Sequence, residues 1–244
     1  MKRHKPKPGG VSVGFLHPGH YAHCFAESLQ DLILSDLSGP QRTAHDFGKL
    51  GKECASGAIV AGRNQLAKIM CDQSPAEWLF MVDSDMGFAP DTLERLLAVA
   101  DPKDKPIVGG LCFAHKTDGR ASFYGTRYRA CPTLYTFYED DERVGFVPML
   151  DYPVEQVVPV AATGGACVLI HRSVFERIRD KYGDVWFDTI THPKGQTVFS
   201  EDLSFCVRAA GVGVPIFVDT RIKTTHDKGG VFLDEEFYRR QVAA

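Results

Sequence analysis

The stretch Glu77-Trp78-Leu79-Phe80-Met81-Val82-Asp83-Ser84-Asp85-Met86-Gly87 decides how this chain is read. Trp78 to Val82 is a continuous apolar run, and two carboxylates flanking one serine follow it directly. Such a run, bounded by breakers, predicts a strand buried on both faces. The acids then stand at the strand's carboxyl end, where open α/β sheets place their ligands. Carboxylate oxygens suit a hard divalent cation, so Asp83-x-Asp85 can hold one against a phosphate. The competing reading is a polar loop in which Asp83 or Asp85 caps the next helix.

The surrounding chain narrows the class. It has 244 residues, 44% of them hydrophobic and 24% charged, which is ordinary globular composition. We read residues 11–244 as one domain, preceded by a flexible basic arm at 1–10. The net charge of −3 supplies no field for nucleic acid, so no nucleic-acid partner is expected. Apolar runs fall far short of the roughly 20 residues of a membrane helix, so no span and a cytoplasmic location are expected. Seven cysteines, odd in number and without a Cys-x-x-Cys pair, read as reduced thiols.

Periodicity sketches the elements. Val11–Leu16 predicts a first strand and His17-Pro18-Gly19-His20 a loop. Helices are predicted from Tyr21 to about Leu34, from Ala58 to Cys71 and from Pro90 to about Ala100, with a short strand near Phe47. Pro106–Phe113 predicts a further strand, reached by a parallel crossover. Residues 114–160, rich in aromatics, predict antiparallel or irregular structure with a hairpin around Glu139–Arg143. Ala166–Ile170 is another strand. A helix follows His171-Arg172-Ser173, Trp186-Phe187 lies in a loop, and a helix opens at Glu201-Asp202. Val214–Asp219 is the last strand, with His226 in the polar stretch beyond it, and 234–242 closes the chain as a helix.

Arg63 lies on the apolar stripe of its helix, with Ile59 and Leu66. It needs a carboxylate, carbonyls or a ligand phosphate, unless it snorkels past the core edge to water. His17, His20, His23 and Cys24 are spaced by about three, which on a helix would gather a zinc cluster, although Pro18-Gly19 interrupts it.

Taken in order, Ala61-Gly-Arg63-Asn64, Asp83-Ser84-Asp85, Thr163-Gly164-Gly165, Ser200-Glu201-Asp202 and His226 resemble the GT-A nucleotide-sugar glycosyltransferases. The chain looks most like the small family-2-like enzymes of bacteria and bacteriophages, over roughly residues 11–230. The resemblance implies an α/β fold of the GT-A (Rossmann-like) type, with a mostly parallel central sheet flanked by helices and a small antiparallel or irregular acceptor side at 114–160. It implies a metal-dependent enzyme of the hexosyltransferase type that moves a sugar from a UDP- or GDP-sugar donor to a hydroxyl acceptor. Asp83, Asp85 and His226 would serve the metal, and an imidazole ligand favours Mn²⁺ over Mg²⁺. Pro18, Gly19, Arg63, Asn64, Asp83, Ser84, Gly164, Gly165 and Lys228 would bind the nucleotide sugar. Asp202, with Glu201 beside it, would be the catalytic base, although Ser200-Glu201-Asp202 is also an ordinary helix start. Trp186 would stack under an acceptor sugar, or else fill the core. The rivals are a sugar-nucleotide nucleotidyltransferase and a non-catalytic nucleotide-sugar binding protein. The first would carry a Gly-rich basic loop where this chain has His17-Pro18-Gly19-His20.

Overall fold

A computed structural model describes residues 7–43, 51–53, 58–117 and 128–243. The amino-terminal half runs β1 (Lys7–His17), α1 (His23–Ser38), β2 (Gly51–Glu53), α2 (Ile59–Asp72), β3 (Ala76–Val82), β4 (Met86–Phe88), α3 (Thr92–Val99) and β5 (Ile107–Leu111). Two hairpins follow, β6 (Phe113–Thr117) with β7 (Tyr128–Pro132), and β8 (Leu134–Glu139) with β9 (Val144–Pro148). The remainder is β10 (Val157–Val160), β11 (Ala162–Thr163), β12 (Cys167–His171), α4 (Arg172–Tyr182), β13 (Ile190–Thr191), β14 (Val198–Phe199), α5 (Glu201–Gly211), β15 (Ile216–Asp227), β16 (Phe232–Leu233) and α6 (Glu235–Ala243).

The central sheet has the order β10-β15-β5-β12-β3-β1-β2, with β4 and β16 added alongside β15. Strands β1, β2, β3, β5 and β15 run one way, and β12 and β10 run against them. The crossover through α3 does connect two parallel strands. They are not neighbours, because β12 is inserted antiparallel between β3 and β5. The architecture is the mostly parallel α/β sheet expected, with small antiparallel sheets at one side.

Strand β3 shows why the opening run is apolar throughout. Leu79 and Met81 join the core against α2, α4 and α5, whereas Trp78, Phe80 and Val82 join the core against α1 and α3. Alternate side chains of a strand leave opposite faces, so a strand covered on both needs apolar residues at every position. Buried Arg172 secures the entry to this strand. Its Nε donates to the Ala76 carbonyl at the start of β3 at 3.0 Å, and its Nη1 to the Cys71 carbonyl in the last turn of α2 at 3.2 Å.

Several boundaries differ from the sequence reading. Strand β1 begins at Lys7, so residues 7–10, read as part of a flexible arm, belong to the sheet; Lys7 pairs with Ala76 of β3. Helix α1 starts at His23, and α3 starts at Thr92 because Met86–Phe88 forms a strand on β15 instead of leading straight into the helix. The strand predicted near Phe47 lies outside the described residues. The hairpin turn falls at Asp140–Arg143 as expected, where Asp140 Oδ1 accepts from the backbone of Glu142 at 2.8 Å and Arg143 at 2.7 Å. The six described cysteines are free thiols, and Cys54 lies outside the described residues. Among the described residues no helix is long and apolar enough to cross a membrane.

Phe80 is fully buried between the sheet and α1 and α3. Phe80→Ala should therefore lower unfolding free energy by about 3–5 kcal/mol, read as a drop in urea midpoint. A loss under about 1 kcal/mol would contradict its place in the core.

Candidate functional site

The carboxyl ends of β1 and β3 open onto a cleft of about 590 Å³. One wall is the end of β1 and its loop, with His17, Pro18, His20 and Tyr21. The floor is Asp83, Ser84 and Asp85, and the opposite wall is His226 to Gly229. Gly19 sits in the first loop with φ +93, a conformation open to glycine. The acids do not cap a helix. Strand β4 follows them, and the Met86 amide closes a turn onto the Asp83 carbonyl at 3.1 Å.

His226 reaches the acids because β15 is twelve residues long, not a six-residue strand with a polar tail. Its first part pairs with β5, its register shifts between Asp219 and Lys223, and its far end pairs with β4. His226 is thus opposite Met86, directly beyond Asp85. Its Nε2 lies 3.1 Å from Asp85 Oδ2, and its Nδ1 donates to the Phe113 carbonyl at 2.8 Å. Lys228 Nζ donates to the same Asp85 oxygen at 2.8 Å.

Burial opposes ionisation of both partners, and their pairing prevails. The Asp85 carboxyl, despite its burial, is held at about 2 by His226 and Lys228. The His226 imidazole, which burial alone would depress, is raised above its ordinary 6.5 chiefly by Asp85.

This donor set fits a divalent cation in part. A metal-bound imidazole fixes its other nitrogen on a carbonyl or carboxylate, as His226 does on Phe113. Asp85 and His226 together offer one oxygen and one nitrogen at adjacent positions. Among the described residues no three His, Cys, Asp or Glu side chains gather as a metal cluster. Further ligands would have to come from phosphate and water, the usual situation of a nucleotide-bound divalent ion.

Asp83 faces the other way. Its Oδ1 accepts from Arg63 Nη2 at 3.0 Å. Arg63 is 2% exposed, and its Nη1 is ion-paired with Asp202 and lies 3.8 Å from Glu201. Both terminal nitrogens of Arg63 thus meet carboxylates of the protein. Asp202 and Glu201 stand in the first turn of α5, where free amides and the helix dipole favour negative charge. Ser200 occupies the N-cap position, but its side chain makes no capping bond. Gly165 lies beneath the Arg63–Asp202 pair; a Cβ there would come within 2.3 Å of Arg63 Nη1 and 2.8 Å of Asp202 Oδ1. The space that Gly165 leaves is thus taken by this ion pair, while Gly164 has ordinary clearance from Thr133.

Two assignments are corrected. Asn64 does not face the nucleotide: its Oδ1 accepts from the Trp186 amide at 2.9 Å and the Phe187 amide at 3.0 Å, and its Nδ2 donates to the Phe187 carbonyl at 2.8 Å. Three bonds to one loop consume the side chain. Trp186 cannot stack on an acceptor sugar, because it is fully buried, donates Nε1 to the Phe175 carbonyl at 2.8 Å and lies under Arg179. The zinc cluster also fails. Helix α1 begins only at His23, so His17 and His20 are not on its face, and His23 instead pairs with Glu27 at 3.1 Å. His17 and His20, read from spacing as zinc candidates, are cleft residues instead, and Tyr21 joins them there. Their place after the first strand of an open sheet was the available signal.

No protein-family model matches the chain, and no curated protein matches it. Among solved structures it is similar to A197 from STIV, with a TM-score of 0.58 and 12% identity over 93% of this chain and 91% of that one. It is also similar to GalNAc-T7 with UDP, GalNAc and Mn²⁺, with a TM-score of 0.53 and 12% identity over 91% of this chain and 44% of that one. The chain thus spans less than half the length of GalNAc-T7. These likenesses concern the fold, which is of the GT-A type.

The Asp85–His226 pair carries a pH signature. The Asp85 contribution to stability is full above its ordinary 3.8 and is lost as pH falls towards about 2. The His226 contribution is full below 6.5 and is lost as pH rises through its raised value. The pair therefore stabilises most between about 3.8 and about 6.5. Asp85→Asn should lower the His226 pKa, read by NMR titration of its ring protons. An unchanged titration would rule out the contact.

Proposed function

We propose that the protein is a metal-dependent glycosyltransferase that moves a sugar from a UDP- or GDP-sugar to a hydroxyl acceptor. The observation that carries this reading is the convergence of Asp85, His226 and Lys228 on the wall of a cleft, at the carboxyl edge of a GT-A sheet. GalNAc-T7 carries UDP and Mn²⁺ on the same fold, which supports a nucleotide donor and a divalent metal here.

Asp85 and His226 would hold the metal, Mn²⁺ in preference to Mg²⁺ because an imidazole is in the set. When bound, it would neutralise the donor diphosphate as that group leaves. Lys228 would add a point charge to the same diphosphate. Pro18 and Ser84 border the space for the nucleotide, Gly19 belongs to the same loop as Pro18, and Asp83 reaches the space from the floor. Asp202 would take the proton from the acceptor hydroxyl, and the negative charge of Glu201 beside it would favour uptake of that proton. Asp202 belongs with Asp83 to the Arg63 network, and Asp85 to a separate one with His226 and Lys228.

The test has two parts. UDP or GDP should raise the melting temperature in the presence of Mn²⁺, and Asp85→Ala should abolish that metal-dependent part while leaving the fold intact. No shift with either nucleotide would sink the reading. In a donor screen across UDP- and GDP-sugars, Asp202→Asn should retain Mn²⁺-dependent nucleotide binding and lose about 10²-fold or more in turnover. A fully active variant would remove Asp202 as the base.

A further inference from the structure

Arg63 is the one fully buried side chain among the described residues that touches both ends of the site. It is 2% exposed and contacts Asp83 at 3.0 Å on the cleft floor. Through its other terminal nitrogen it holds Asp202 and approaches Glu201 to 3.8 Å, both at the start of α5. Three features fix it in place. Its helix, α2, packs against β1 and α4. Its guanidinium carbon sits 5.9 Å from the centroid of the Phe187 ring. The Phe187 backbone is in turn held by Asn64, the next residue of α2. Gly165 leaves room for the pair to pass over the loop before β12.

Building on the glycosyltransferase reading, we infer that Arg63 is a positioning residue that sets the Asp202 carboxylate relative to the cleft floor. A planar guanidinium presents donors in a fixed fork, so it constrains both the distance and the orientation of two carboxylates at once. A lysine keeps the charge and loses the fork. Arg63 acts through Asp202, because its two terminal nitrogens are engaged by protein carboxylates. Gly165 belongs to the same device: its missing side chain is the space the pair occupies.

The experiment measures hydrolysis of the UDP- or GDP-sugar that gives the highest turnover in the donor screen, with Mn²⁺ present and water as acceptor. Wild type, Arg63→Lys, Asp202→Asn and the double variant are compared. Arg63→Lys should lower kcat by about 10²-fold, the usual cost of misplacing a catalytic group by an ångström, with the donor KM within about threefold. In the Asp202→Asn background it should cost nothing further, because the group it places is gone. Gly165→Ala leaves every charge in place and crowds the pair by the Cβ approach given above, so it should reproduce the kcat loss; it serves if Arg63→Lys does not fold. Losses that multiply in the double variant, or a change confined to KM, would overturn the positioning role and leave the transferase reading standing. An inactive wild type that still binds nucleotide would overturn both.

Discussion

A guanidinium buried to 2% exposure is tolerated only when its donors are met by charge, and Arg63 meets that condition with three carboxylates. The requirement reaches far from the residue itself. It draws Asp83 at the end of β3 and the first turn of α5 to a common point, and it demands a glycine at 165 to let them close. Removing one partner from a buried pair of this kind costs about 3–5 kcal/mol, since a charge is then left without compensation. The two ends of the site are therefore held together by the same interaction that makes Arg63 admissible in the core.

A second constraint comes from β15. A strand twelve residues long crosses from the central sheet to β4 by shifting register, and in doing so carries His226 and Lys228 to Asp85. The Asp83 and Asp85 carboxylates, two residues apart, end up in different networks. Asp83 is turned inward to a permanent arginine. Asp85 is turned to a histidine and a lysine that line open space. Both aspartates line the cleft, but one is tied to a buried arginine and its neighbour to a histidine and a lysine of the opposite wall, although the local sequence treats them alike.

Much of the fold was legible from local pattern. Trp78–Val82 read as a doubly buried strand because every position is apolar, and both sheet faces do use it. The Asp140–Arg143 turn and the helix starting at Glu201 were equally legible, since turn acids and first-turn carboxylates act within a few residues. Errors gathered where contacts are distant. Trp186 and Asn64 look like ligand residues in a list of motifs, but their partners are Phe175 and the 186–187 loop, which spacing along the chain does not reveal. The histidines at 17, 20 and 23 suggested a helix face that exists only from His23 onward.

By itself the sequence determined the alternation of strands and helices, the burial of β3 and the position of Asp83 and Asp85 at its end. These follow from hydrophobic periodicity and breakers, which are local. Only the tertiary structure decided that β12 runs antiparallel between β3 and β5, that His226 lies within a strand facing Asp85, and that Arg63 is answered by protein carboxylates and not by solvent. The physical reason is shared. Strand direction, register and the partner of a buried charge are set by which surfaces meet across the fold, and residues as far apart as 85 and 226 acquire their chemistry from that meeting.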